Sequence, residues 1–226
     1  MNQLPSGWTN GQLGISYFRY SAYSLLLEWP ASMSRDILQT INAYISTIHA
    51  VKLTGVNEIV PGYHSIMIYF DTTLTSHELL IKSLENLIIG DDTVQKKSET
   101  TIINVSYGST HGPDLLYVAQ SLGLSTAEVI DLHTSVTYDI HFIGFLPGFL
   151  YLGGLAKKLT LPRRETPRTI VPAGSVAIAA GQTGIYPSDS PGGWHIIGKT
   201  DHEFFNPLQD PPCSFSTGMQ IQFNPI

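Results

Sequence analysis

Apolar side chains recur at helical spacing from residue 37 to 51. Ile37, Ile41, Tyr44, Ile45, Ile48 and Val51 share one face, while Asp36, Gln39, Asn42 and Thr47 take others. The pattern predicts an amphipathic helix, capped by Ser32 or Ser34 and stopped at Gly55. Before it, residues 23–29 form a β-favouring run ended by Pro30. After it, residues 56–60 and 65–70 read as strands joined by a Pro61-Gly62 turn. Leu79, Leu80, Leu84, Leu87 and Ile88 predict a second helix ending at Gly90. A polar linker, 91–100, leads into a strand at 102–107. The order strand, helix, strand, strand, helix, strand is the split βαβ or ferredoxin-like plan, one sheet with both helices on one face.

Beyond residue 107 the texture changes. Pro113 opens a helix that runs to Leu122 and is closed by Gly123, and Ser125-Thr126-Ala127-Glu128 has the capping-box pattern of a second. Val136, Tyr138, Ile140 and Phe142 alternate with Thr137, Asp139 and His141, as in a half-buried strand whose His141 faces either a pocket or the surface. Residues 1–140 hold 9 Gly and 4 Pro, whereas the shorter 141–226 hold 11 Gly and 10 Pro, so short strands between turns are expected there. Val176 with Ile178, Trp194 with Ile196, and Met219, Ile221 and Phe223 mark such strands, which suits a closed or nearly closed β-barrel. The fold class is therefore α+β, with domains at 1–100 and 101–226, the second opening on short helices.

Lys and Arg number 12 against 18 Asp and Glu, a net charge of -6, which argues against binding to nucleic acid or anionic lipid. A single cysteine, Cys213, permits no intrachain disulfide, as suits a reducing cytosol. The start of the chain lacks the basic and apolar parts of a signal peptide, and the longest apolar stretch, 142–156, holds Pro147 and four glycines, too broken for a membrane helix. A cytoplasmic protein is expected.

One motif match is set aside, and one metal motif is missing. Gly193 to Thr200 fits G-x-x-x-x-G-K-T, but a phosphate-cradling loop must open a helix, and Pro207, Pro211 and Pro212 follow instead. The eight histidines show no H-x-x-x-H pairing, so no metal site is expected. The stronger signal is a basic stretch: Lys157, Lys158, Arg163, Arg164 and Arg168 fall within 12 positions of an acidic chain. One reading is a solvated loop. The other is anion binding by Arg163 and Arg168, each stiffened by a preceding proline, with Gln182, Thr183 and Tyr186 lining the same pocket. No catalytic residue is assigned.

These motifs together carry a resemblance. Gly144-Phe145-Leu146-Pro147-Gly148-Phe149-Leu150-Tyr151, Pro162-Arg163-Arg164 through Pro167-Arg168, Val171-Pro172-Ala173-Gly174-Ser175-Val176, Gln182-Thr183-Gly184-Ile185-Tyr186-Pro187 and Ser190-Pro191-Gly192-Gly193-Trp194 resemble the allophanate hydrolase subunit 1 family. Tyr107-Gly108 and Gly112-Pro113-Asp114-Leu115 fit the central segment of that family. Its members include the B subunit of 5-oxoprolinase and a sporulation kinase inhibitor. The resemblance implies a ferredoxin-like domain followed by a cyclophilin-like β-barrel. It also implies work as the B subunit of a complex that opens 5-oxoproline to glutamate, together with a C subunit related to allophanate hydrolase subunit 2 and with an A subunit. ATP is used by the assembled complex, this chain holds no cofactor, and it is inactive alone. Two other roles stay open at this stage: an inhibitor docking on a sensor histidine kinase, and a subunit of urea or allophanate hydrolysis. One departure is Ser109, where the family often has a second glycine, so the 107–111 loop is expected to lose a positive-φ conformation.

Overall fold

The computed structural model describes residues 8–10, 14–31, 34–88 and 100–226, and the chain divides into two compact units, Met1–Lys97 and Ser98–Ile226. The first contains strands β1 (Trp8–Asn10), β2 (Ile15–Ser21) and β3 (Ser24–Glu28), helix α1 (Arg35–Val51), strands β4 (Val56–Pro61) and β5 (Ser65–Phe70) and helix α2 (His77–Glu85). The sheet order is β1-β2-β3-β5-β4, with every pair antiparallel. Register places Tyr17 beside Leu27 and Leu27 beside Ile66. This one face packs on Ile41, Tyr44 and Ile48 of α1 and on Leu80, Ile81 and Leu84 of α2. Ser34 caps α1 by accepting the Ile37 N–H at 3.2 Å. The helix stops before Gly55, because Lys52 already turns left-handed at φ 51°. Gly90, the expected end of α2, lies outside the described residues.

The second unit follows as β6 (Thr100–Tyr107), α3 (Leu115–Leu122), α4 (Thr126–Thr134), β7 (Thr137–Ile143), β8 (Leu150–Gly153), β9 (Arg168–Val171), β10 (Ser175–Ala179), β11 (Gln182–Ile185), β12 (Ser190–Gly192), β13 (His195–Lys199) and β14 (Gln220–Pro225). Seven strands close a barrel in the order β10-β11-β8-β7-β14-β6-β13, and β13 pairs back onto β10. β9 and β12 form a separate two-stranded ribbon. Alternation along the strands sends Val176, Ile178, Ile185 and Ile197 to one core, with Val118 of α3 and Val129 of α4, while Ala177, Ala179 and Ile196 join a second cluster on the other side of the wall. No described helix is long and apolar enough to cross a membrane.

The strand at 102–107 corrects the expected plan. It does not complete the first sheet but runs parallel to β14, with Ile103 opposite Phe223, and antiparallel to β13. The place beside β3 is taken by β2, an earlier segment whose Ile15 and Tyr17 join the helix-facing core. Ile103 and Val105 are likewise satisfied, but inside the barrel. A second correction concerns Ser109, which does take the left-handed conformation at φ 50°, beside Gly108 at φ 68°. The excluded P-loop match is strand β13, and no helix follows it through Asn206.

One glycine fixes the turn that leads into α3. A Cβ on Gly112 would lie 2.0 Å from the carbonyl oxygen of Ile197, so only glycine lets this turn press onto β13. Asp114, two residues on, is thereby set against Ile196.

Candidate functional site

Asp114 stands at the start of α3, 4% exposed, yet its carboxylate does not cap that helix. It accepts the Ile196 N–H at 2.7 Å, both terminal nitrogens of Arg168 at 2.7 and 2.8 Å, and Arg164 Nη1 at 3.0 Å. Its own N–H donates to the Ile196 carbonyl at 2.9 Å. Burial pushes this carboxyl upward, but hydrogen bonds from Arg168 and Ile196 and the charges of Arg168 and Arg164 outweigh it and hold it below the usual range. Two guanidinium groups share one carboxylate, so a positive charge is left over.

Beside this cluster lies a groove of about 670 Å³, lined by Tyr117 and Ser121 of α3, by Thr160, Arg163 and Arg164, and by His195 of β13. Arg163 is exposed and enters no ion pair among the described residues. Its charge acts on the phenols of Tyr151 and Tyr186, which places it between the groove and the aromatic face of the barrel. His195 is 3% exposed, stacks on Tyr117 with ring centroids 5.3 Å apart, and has Nε2 3.0 Å from the Pro162 carbonyl oxygen. Glu165 also lines the groove, so Arg163 and Arg164 leave it a small excess of positive charge, and Tyr117 stacked on His195 gives it an aromatic wall. Such a surface suits a small anion with a flat body.

Of the five residues expected to form one anion pocket, only Arg163 lines this groove. The Arg168 fork is taken by Asp114, so its role is to hold the turn before α3. Thr183 is fully buried and donates to the Ala177 carbonyl at 3.1 Å, while His133 Nε2 lies 2.8 Å from its oxygen. Tyr186 is buried in an aromatic cluster, edge-on to Phe149 at 4.9 Å, and burial, then Tyr151, pushes its phenol up to about 12. Gln182 is buried at the start of β11. His141, which the strand pattern leaves between pocket and surface, is buried against Gly153, where a Cβ would lie 2.3 Å from the ring. Asp114, Tyr117, Ser121 and His195 are site residues that the motif reading does not single out. Only Asp114 carries a local signal, inside the Gly112-Pro113-Asp114-Leu115 segment that contributes to the resemblance.

A family model described as the carboxyltransferase domain, subdomain C and D, matches residues 15–215. The chain belongs to this family. This carboxyltransferase-family chain is 40% identical over 175 residues to the 5-oxoprolinase B subunit of Escherichia coli O157:H7, covering 77% of this chain and 80% of that one. To the 5-oxoprolinase B subunit of Bacillus subtilis (strain 168) it is 32% identical over 212 residues, covering 88% of each. Among solved structures, a conserved uncharacterized protein of Pyrococcus horikoshii superposes with a TM-score of 0.56 at 36% identity, covering 98% of this chain and 97% of that one. TTHA0988 superposes with a TM-score of 0.80 at 30% identity over 91% of this chain, which spans only 40% of that longer protein. The urea amidolyase of K. lactis, 18% identical with a TM-score of 0.72 over all of this chain and 16% of its own, shares the fold. Among the described residues, no group of three His, Cys, Asp or Glu side chains could hold a metal ion.

Proposed function

We propose that this carboxyltransferase-family chain is the B subunit of a cytoplasmic, ATP-dependent 5-oxoprolinase that opens 5-oxoproline to glutamate, assembled with an A subunit and with a C subunit. The observation that carries this reading is its similarity to three proteins named as the B subunit of 5-oxoprolinase, at 40%, 32% and 39% identity over 77%, 88% and 74% of this chain. In the same reading the first unit is a ferredoxin-like domain in which β2 takes the place beside β3, and the barrel is cyclophilin-like.

The chemistry gives such a complex its parts. A five-membered lactam is a stable amide, and phosphorylating its oxygen turns it into an activated imidate-like ester. That transfer needs cationic or N–H stabilisation of phosphoryl charge. ATP belongs to the assembled complex, and this chain contributes anion recognition, with Arg163 as its free guanidinium. Lys157 and Lys158, on a short 3-10 turn (Lys157–Leu159), are exposed and lie outside the groove lining. A charge-assisted hydrogen bond contributes roughly 1.5 to 3 kcal/mol. Arg163→Ala should therefore lower kcat/KM of the reconstituted complex by about one to two orders of magnitude. Arg163→Lys should recover part of the loss, because an ammonium lacks the two-pronged contact. Lys157→Ala should stay near the parental value. Near-parental activity of an assembled Arg163→Ala complex would remove this chain from substrate recognition.

A further inference from the structure

Two adjoining loops of the barrel unit hold out bare apolar side chains. The first, 144–149, keeps Phe145 at φ 72°, a conformation that a bulky residue adopts only where its surroundings impose it. It is imposed by the Gly144 N–H, which donates to the Phe149 carbonyl at 3.1 Å, and by the Phe149 N–H, which donates to the Leu146 carbonyl at 3.0 Å. The Phe145 ring meets Phe149 and Tyr186 edge-on, yet the residue stays 60% exposed. The second loop, 203–213, is rooted by Phe204 in the barrel core and braced by Asn206. The Asn206 N–H donates to the Pro212 carbonyl at 2.8 Å, its side-chain oxygen accepts the Leu208 N–H at 3.0 Å, and its amide donates to Glu203 at 3.1 Å. This network leaves Leu208 94% exposed. The loops are pressed together at Gly148, where a Cβ would lie 2.7 Å from that of Phe205. One exposed leucine is ordinary, but two apolar side chains on braced, touching loops, one of them strained, are pre-organised as interface anchors are. The charge around them has one sign: Asp201, Glu203 and Asp210 are exposed and enter no ion pair among the described residues, and no Lys or Arg follows Lys199.

We propose that Leu208 and Phe145 are the anchors of a docking surface for the C subunit, and that they enter an apolar socket rimmed by Lys and Arg. The acidic surround selects the basic rim and speeds encounter, while the two apolar side chains hold the complex once formed. A neighbouring body at this fold has independent support. The matching family model describes subdomains C and D, a part of a larger carboxyltransferase domain, and TTHA0988 carries this fold as 40% of its own length. The inference rests on the proposed function for the identity of that body as the C subunit; the surface itself rests on the two loops.

The test is the binding kinetics of the full chain with the purified C subunit, measured at low and at physiological salt. Leu208→Glu, at a position with almost nothing to lose on folding, should raise Kd at least about thirty-fold, chiefly through faster dissociation. Phe145→Ala should raise it about ten-fold. Replacing Asp201 and Asp210 with asparagine should slow association several-fold at low salt, flatten its salt dependence and leave dissociation unchanged. Ile102→Glu, at a residue of β6 that is 64% exposed, should keep the parental affinity. No binding of the C subunit by the parental chain, parental affinity in Leu208→Glu, an equal loss in Ile102→Glu, or Leu208-dependent binding of the A subunit instead would each overturn the proposal. Leu208-dependent binding of the C subunit without 5-oxoproline turnover by the complete set would leave the surface standing and remove the assigned activity. Full turnover by a set containing Leu208→Glu that binds with parental affinity would do the reverse.

Discussion

Replacing Asp114 with alanine should destabilise the barrel unit by about 3 to 5 kcal/mol, the usual cost of removing one partner from a buried ion pair. The variant leaves Arg168, with 24% of its side chain exposed, and Arg164 without their acceptor, and it frees the Ile196 N–H inside the protein. Adding Arg168→Met should recover part of the loss, because the stranded charge goes with it. Denaturant unfolding of the single and double variants checks this. A double variant no more stable than Asp114→Ala alone would mean that the cluster is not an electrostatic unit. The pH dependence has a definite sign. A carboxyl held below its ordinary value adds stability that is complete above about pH 4 and is lost as pH falls through the lowered folded value.

The second large effect lies inside the barrel. Thr183 spends its hydroxyl proton on the Ala177 carbonyl, so it accepts from His133 Nε2–H, and the bare Nδ1 accepts the Tyr107 O–H at 2.7 Å. Tyr138 donates to the His133 carbonyl at 2.8 Å, tying the end of α4 to β7. The imidazole is wholly buried with no room for a second proton, and burial lowers its pKa to about 3. Between that value and 6.5 the unfolded chain binds one more proton at this site than the folded chain. Stability should therefore fall with falling pH by about 1.4 kcal/mol per unit, or about 5 kcal/mol across the window. His133→Gln removes the titration. Its unfolding free energy, measured from about pH 7 to 4, should slope less steeply than the parental one by about one proton. Coincident slopes would show that His133 is protonated in the folded state.

Where a structure-forming signal is local, the sequence carries it. The Ser125 and Glu128 capping box forms in both directions, Ser34 caps α1, and Gly123 closes α3 in the left-handed conformation. β4 and β5 emerge at the expected places because period-two alternation and the Pro61-Gly62 turn act within a few residues. Strand β2 is hidden in the sequence, since Phe18 and Tyr20 alternate with Ile15, Tyr17 and Arg19 and leave no clean polar face. The sheet that β6 joins depends on its partners β13 and β14, which lie about 90 and 120 residues downstream and write nothing into residues 100–107.

The candidate site shows the same division. The run of basic residues is visible in the sequence, and Arg163 does face the groove. Which arginine is free is not visible there, because the answer is Asp114, some 50 residues away along the chain and brought in by the close approach at Gly112. The pocket role expected of Thr183 is not met, and His195, of which nothing is expected, lines the groove, for a similar reason. Thr183 has the makings of a pocket hydroxyl and is consumed by His133, while His195 sits in an apolar strand and meets the groove through Tyr117 of α3.

Reconstitution decides whether this chain works inside a 5-oxoprolinase. Glutamate release from 5-oxoproline should be measured with ATP, the A and C subunits and this chain, each omitted in turn, after the assembled complex has been isolated by size. Release is expected only from the complete set, with none from this chain alone. Unchanged release when this chain is left out, or ATP-dependent release by this chain without the others, would contradict the assignment.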